Sequence, residues 1–243
     1  MKPSLADRVA LVTGASRSVG RSIARALARA GARVGIAVGT GEDVSRVAGE
    51  LRAAGVPVHA VVADVSVSAD VQSLVAEVRL HLGPIDLLVN SPGLAEWEEH
   101  PRWEGHREAW GRILAVNVRG PMLCCHAVLP GMIAAGRGHV FNVTTLTGAP
   151  GGPIDSAYAV SNAALLRLTE SLGIALVGTG VSIFDVRPGL IRTAMTNGQP
   201  IGTDALHATW TPPERTGEMI VRLAAERNEV LSGRFIHAAP VLG

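Results

Sequence analysis

One tyrosine and one lysine occur in 243 residues. The lysine is Lys2, so arginine supplies the other 21 of the 22 basic residues, and no lysine lies in the body of the chain to perform chemistry. Acidic residues number 21, leaving a formal charge of +1, and this balance gives no reason to expect a nucleic-acid or anionic-membrane partner. Two cysteines are present, Cys124 and Cys125, adjacent in an apolar segment. That placement reads as buried thiols in a reducing compartment rather than a disulfide framework. The eight histidines show no metal-ligand spacing, so no metal is expected. The leading MKPSLADR has no apolar h-region and no run of about 18 apolar residues follows, so a cytoplasmic protein is the expectation.

What the chain does have is apolar substance, 47% of its residues, in a regular alternation. RVALVTG, ARVGIAV, VHAVVADV, IDLLVNSPG, GHVFNVTT, VSIFDVRPG and GRFIHA read as strands that are apolar along their whole length. Helical spacing separates them, beginning with VGRSIARALARAG, in which Val19, Ile23, Ala26, Leu27 and Ala30 recur on one face. A long helix over EAWGRILAVNVRGPMLCCHAVLPGMIAAG is expected to break or kink near Gly120–Pro121. Strands buried on both faces and joined through helices predict an α/β fold, a doubly wound parallel (Rossmann-type) sheet in a single domain over 1–243. Ligands bind such sheets beyond the carboxyl ends of the strands, which directs attention to the residues following each one.

TGASRSVGR joins strand one to helix one. A tight turn at Gly14, a close contact at Gly20 and the free amides of a helix start form a phosphate-binding pattern. Thr13-Gly14-Ala15-Ser16-Arg17-Ser18-Val19-Gly20 resembles the Thr-Gly-x-x-x-Gly-x-Gly fingerprint of the short-chain dehydrogenase/reductase family. The resemblance continues in order through Asp64-Val65, Asn90-Ser91-Pro92-Gly93, Val116-Asn117, Thr144-Thr145, Tyr158 and Pro188-Gly189 with Ile191 and Thr193. It implies a nicotinamide cofactor held by Gly14, Ser16, Arg17, Ser18, Val19, Gly20, Asp64, Val65, Asn90, Pro188, Gly189, Ile191 and Thr193. It also implies a Ser–Tyr–Lys catalytic set assisted by an Asn, a small-molecule substrate, and a homo-oligomer, tetramer or dimer.

Several positions depart from that pattern. Ser18 stands where the middle glycine belongs, and Ser91-Pro92 replaces Asn-Ala, with Pro92 removing an amide. NAD-preferring members carry a carboxylate after strand two to hold the ribose 2′-hydroxyl. Here Ala37-Val38-Gly39-Thr40 supplies none, and Arg17 lies where NADP-preferring members carry a basic residue. NADP is therefore expected over NAD, although the second arginine often found after strand two is missing.

The catalytic serine becomes Thr145, thirteen residues before Tyr158, with a hydroxyl retained and a β-branch added. Tyr158 is the expected proton donor to a carbonyl oxygen. The family lysine is replaced by Asn162, which the i, i+4 spacing keeps on the face of Tyr158. A charge about 5 Å away at an effective dielectric of about 20 is worth roughly 3 kcal/mol, or about two pKa units. Without it Tyr158 is expected to stay near an unperturbed phenol, which favours giving a proton over taking one. Arg192 is the nearest replacement cation by motif, and Asn117 keeps its place while losing the lysine partner.

These residues predict an NADP-dependent reductase of a ketone or related carbonyl. Asn162 leaves two alternatives: a non-redox enzyme on the same scaffold (cyclase, dehydratase or epimerase) or a weakly catalytic cofactor-binding protein. Trp97, His100, Trp103 and His106 after strand four, and Met195, His207 and Trp210 after strand six, are candidates for substrate walls.

Overall fold

A computed structural model describes residues 4–39, 41–95, 107–145, 156–189, 191, 210–226 and 228–238. Seven strands are present among the described residues: β1 (Val9–Thr13), β2 (Arg33–Val38), β3 (Val58–Val62), β4 (Leu87–Asn90), β5 (Gly138–Val143), β6 (Val181–Arg187) and β7 (Arg234–His237). They form one parallel sheet in the order β3-β2-β1-β4-β5-β6-β7. All five residues of β1 and all four of β4 are buried, as central strands covered on both faces require.

Helices α1 (Ser18–Arg29), α2 (Gly41–Arg52) and α7 (Pro213–Ala225) cover one face. Ile23, Leu27, Leu51 and Ile220 pack there with Phe141 and Phe184 of the sheet. Helices α3 (Ser68–Leu82), α4 (Arg107–Leu114), α5 (Gly120–Ala134) and α6 (Ser156–Ala175) lie on the other side. There Leu74, Val78, Cys124, Val128 and Met132 meet Leu11, Val140 and Ile183. Strand order reverses between β1 and β4, so the binding crevice lies at the carboxyl ends of those two strands.

The break expected near Gly120–Pro121 takes a different form. A π turn over Ala115–Arg119 joins α4 to α5 without interrupting the helix, and the Gly120 amide donates to the Ala115 carbonyl five residues back. Pro121 has no amide to give, and widening the preceding turn accommodates it without rupture. Gly120 is also pressed against the loop after β3, where a Cβ would stand 2.9 Å from Val65 Cγ2. Residues 108–134 are long and apolar enough to cross a membrane by composition alone, yet Ile113, Asn117, Cys124 and Met132 are buried in the fold. Both cysteines are free thiols, and burial pushes each up to about 12, so they are inert core groups.

Candidate functional site

The crevice begins at the turn between β1 and α1. Gly14 has φ +63°, and a Cβ there would lie 2.2 Å from the Ser91 carbonyl oxygen. A Cβ on Gly20 would lie 2.4 Å from the Gly14 carbonyl, so these two glycines are required by backbone approach. The Ser91 amide donates to Thr13 Oγ1 at 3.3 Å, tying the end of β4 to the end of β1. Ser18 occupies the left-handed region at φ +49°, the conformation the usual glycine would supply without strain. Helix α1 has no acidic residue in its first turn and no side-chain cap on its amides. Its N-terminus therefore presents unsatisfied donors beside Ser16, Arg17, Ser18 and Val19, which fits a pyrophosphate.

Arg17 is exposed at this turn. Arg46 of α2 reaches the same turn, where its Nη2 donates to the Ser16 carbonyl at 3.3 Å, and its Nη1 lies 3.8 Å from Glu50. Arg21 also faces α2 and forms a bidentate pair with Glu50.

After β3, Asp64 accepts two bonds from Ser66 on Oδ1, from the amide at 2.9 Å and the hydroxyl at 2.7 Å. Those bonds hold its carboxyl below the usual range against the opposing effect of burial. The Asp64 amide donates to Asp70 Oδ2, and Val65 packs on Gly120, so the loop leaves the sheet in a fixed course. Asn90 is fully buried, with its side chain turned to the interior, where Nδ2 donates to Asn142 Oδ1 at 2.8 Å. Its side chain is committed to the sheet, and the neighbouring Ser91 meets the Gly14 turn instead.

Thr145 follows β5, and Tyr158 lies in the first turn of α6. Asn162 joins them: its Oδ1 accepts the Thr145 amide at 3.0 Å and its Nδ2 donates to the Tyr158 carbonyl at 2.9 Å. The buried asparagine is thus a staple between strand end and helix start, a different task from the ribose contact of the lysine it replaces. Burial raises the Tyr158 phenol above its ordinary value, and the Asn162 side chain offsets part of that rise. Among the described residues no cation lowers it, so the phenol stays protonated more firmly than loss of the lysine alone would require.

Asn117, in the π turn, works as a second clamp. Its Oδ1 accepts the Leu94 amide at 3.2 Å, and its Nδ2 donates to the Leu94 carbonyl at 2.8 Å and to Ser161 Oγ at 3.1 Å. Ser161 Oγ donates in turn to the Tyr158 carbonyl at 2.8 Å. The β4 loop, the π turn and the Tyr158 helix are thereby one hydrogen-bonded unit. Ser161 and Arg46 went unnoticed in the sequence because neither belongs to a motif; only tertiary folding brings them to the site.

Pro188 and Gly189 follow β6, with Gly189 at φ +82°, and Ile191 is buried. Thr193, Arg192, Thr40, Trp97, His100, Trp103, His106, Met195 and His207 lie outside the described residues, whereas Trp210 is half-buried before α7.

A profile of the short chain dehydrogenase family matches residues 8–202. The chain is 33% identical over 242 residues to a cis-4-hydroxycyclohexanecarboxylate dehydrogenase of Sinomonas cyclohexanicum, covering 97% of this chain and 96% of that protein. It is 30% identical over 238 residues to a 3-oxoacyl-acyl-carrier-protein reductase of Staphylococcus epidermidis, covering 95% and 97%. Among solved structures, a Beutenbergia cavernae protein assigned as an NAD(P)-dependent gluconate 5-dehydrogenase, with NADP bound at low occupancy, superposes with a TM-score of 0.87. Identity there is 29%, with 98% of this chain and 97% of the other covered. A Sinorhizobium meliloti protein assigned as a short-chain alcohol dehydrogenase gives 0.88 at 28% identity, with 98% and 97% covered.

The chain therefore belongs to the short-chain dehydrogenase family. It is an NAD(P)-dependent short-chain oxidoreductase acting on a small molecule.

Proposed function

We propose that this protein is an NADP-dependent reductase of a ketone or related carbonyl, with Tyr158 as general acid and Thr145 as the hydroxyl that orients the substrate oxygen. The observation that carries the reading is the Tyr158 phenol, which burial holds protonated and which no described cation drives toward phenolate. A proton donor must keep its proton at working pH, and this one does.

A dinucleotide would supply the hydride. The first-turn amides of α1 near Ser18 and Val19 would hold its pyrophosphate, and Arg17 and Arg46 would meet its adenosine end. Two guanidinium groups and no carboxylate at Val38–Gly39 support NADP over NAD. The Thr145 hydroxyl accompanies Tyr158 because Asn162 fixes both backbones to each other. Two relatives named for carbonyl–alcohol chemistry on acid or acyl substrates, the cyclohexanecarboxylate dehydrogenase and the 3-oxoacyl reductase, make a carbonyl compound bearing such a group the first to try. The exposed apolar residues Val160, Ile174 and Val177, on or just after α6, support a homo-oligomer, tetramer or dimer, assembled through that helix.

The commitment of Asn162 to protein groups favours one other reading, a non-redox enzyme that uses Tyr158 as acid. Loss of NADPH absorbance that depends on a carbonyl substrate and disappears in Tyr158→Phe supports the reductase. Turnover that persists without dinucleotide excludes it.

A further inference from the structure

Four buried side chains form a hydrogen-bonded row through the middle of the molecule. Asn90 of β4, Asn142 of β5 and Asp185 of β6 are in register on adjacent strands. Asn90 Nδ2 donates to Asn142 Oδ1 at 2.8 Å, and Asn142 Nδ2 donates to Thr169 Oγ1 of α6 at 2.8 Å. Thr169 Oγ1 donates to Asp185 Oδ1 at 2.9 Å. None of the four is more than 1% exposed, and Asn90 Oδ1 has no partner. Among the described residues no cation pairs with Asp185. A lone carboxyl in a central strand is costly to bury and unsuited to the pleat.

Three members of the row lie on elements that carry the site. Thr169 lies on the helix that carries Tyr158, and Asn142 lies on the strand that leads into Thr145. Asn90 precedes Ser91, whose carbonyl oxygen leaves no room for a Cβ on Gly14 and whose hydroxyl lies 3.2 Å from where a Cβ on Gly20 would stand. A shift of the row therefore reaches the dinucleotide turn through hard contacts.

We propose that Asp185 is a positioning residue whose protonation, relayed through Thr169, Asn142 and Asn90, holds the dinucleotide groove closed and makes cofactor affinity depend on pH. Burial pushes the Asp185 carboxyl up to about 7; the Thr169 bond opposes the rise and the charge of Glu170 on α6 adds to it. Its neighbours in register, Asn142 and Phe235, are uncharged. Arg234 and His139 pair with Phe184 and Ser182, on the opposite side of the sheet, and Arg187 and His237 form the pair two positions farther along, on the Asp185 side. Protonated, Asp185 completes a neutral row. Ionised, it places an unpaired charge between sheet and α6, which is relieved by admitting water and loosening the helix. Binding that requires α6 docked thus favours the protonated form.

The inference rests on the dinucleotide part of the reading above. NADPH and NADH affinities and the thermal midpoint are measured from about pH 5.5 to pH 9 for the wild type and Asp185→Asn, an isosteric neutral mimic of the protonated acid. The expected wild-type Kd for the preferred dinucleotide rises about fivefold or more across neutrality, while that of Asp185→Asn changes less than about twofold. Thr169→Val, which cuts the relay, is expected to flatten the profile as well. Parallel profiles in wild type and Asp185→Asn would overturn the inference and leave the reductase reading intact. Failure of both dinucleotides to bind the wild type would overturn the two together. A readout free of variants is the carboxyl titration of Asp185 by carbon-13 NMR: its midpoint is expected to rise on saturation with NADPH, and an unchanged midpoint sinks the proposal.

Discussion

Asn162 Oδ1 accepts the amide of Thr145 at 3.0 Å, so the residue in the family's lysine position fixes the backbone of the residue in its serine position. The same side chain donates to the carbonyl of Tyr158. Geometry is thereby conserved in the site while its positive charge is removed. The consequence falls on the phenol, which has burial working against ionisation and only an amide working for it.

Reduction should therefore persist far into alkaline pH. A phenol raised above its ordinary value near 10 remains a donor throughout the neutral range. Initial rates of carbonyl reduction with NADPH are expected to show no Tyr158-linked fall up to about pH 9, whereas alcohol oxidation climbs with pH without reaching a plateau. A base limb near neutrality in oxidation that vanishes in Tyr158→Phe would contradict the assignment of a protonated phenol.

Restoring the lysine has two opposed effects. Asn162→Lys returns a charge worth roughly two pKa units to Tyr158, and alcohol oxidation at about pH 8 is expected to gain ~10- to 100-fold relative to reduction. Lysine has no acceptor, however, so the Thr145 amide loses its partner. The variant is expected to be less stable by about 1–3 kcal/mol in urea unfolding. A proportional change in both directions of catalysis would show that the missing charge does not set the bias.

The sheet, its parallel sense and the places of Gly14 and Gly20 were legible because each follows from local spacing: apolar strands and a turn at a helix start. Thr145 and Tyr158 were singled out by the family resemblance. The partners of those residues were not. Asn142, Thr169 and Asp185 read as ordinary members of strand or helix patterns, and only strand register with the approach of α6 makes them one row. Asn162 was legible as a lost charge, but its acceptor role toward Thr145 depends on the path of a loop that spacing does not encode. The irregularity near Gly120–Pro121 was legible to within a turn, but its form, a π turn that leaves the helix continuous, was not.

At the amino-terminal end of the strands, His139 makes acid stability testable. Its Nε2 meets the Glu226 carbonyl at 3.2 Å and its Nδ1 faces Arg8 Nη2 at 3.3 Å, a pairing that requires an unprotonated Nδ1. Burial first, and then the Arg8 charge, lowers its pKa from 6.5 to about 4. The unfolded chain takes up a proton at higher pH than the folded one, so stability from neutral His139 is full above about 6.5 and is lost as pH falls toward 4. That window is worth on the order of 3 kcal/mol. His139→Gln is expected to lose less stability than the wild type between about pH 7 and pH 4.5 in urea titrations. Equal losses would place the acid-sensitive group elsewhere.

Cofactor choice provides the sharpest test of how the adenosine end is read. Arg17 leaves the phosphate turn exposed, and Arg46 comes to the same turn from α2, held there by the Ser16 carbonyl. A 2′-phosphate set between them gains charge-assisted hydrogen bonds that a 2′-hydroxyl cannot make, each worth about 1.5–3 kcal/mol. Arg46→Ala is accordingly expected to weaken NADPH by ~10- to 100-fold in direct calorimetric titration while NADH changes by less than about twofold. Arg17→Ala should act in the same direction. Because Arg46 also bonds to the turn, a purely structural loss would lower both affinities together. Selective loss of the phosphorylated dinucleotide separates recognition from scaffolding, and equal loss of both would assign Arg46 to the scaffold alone.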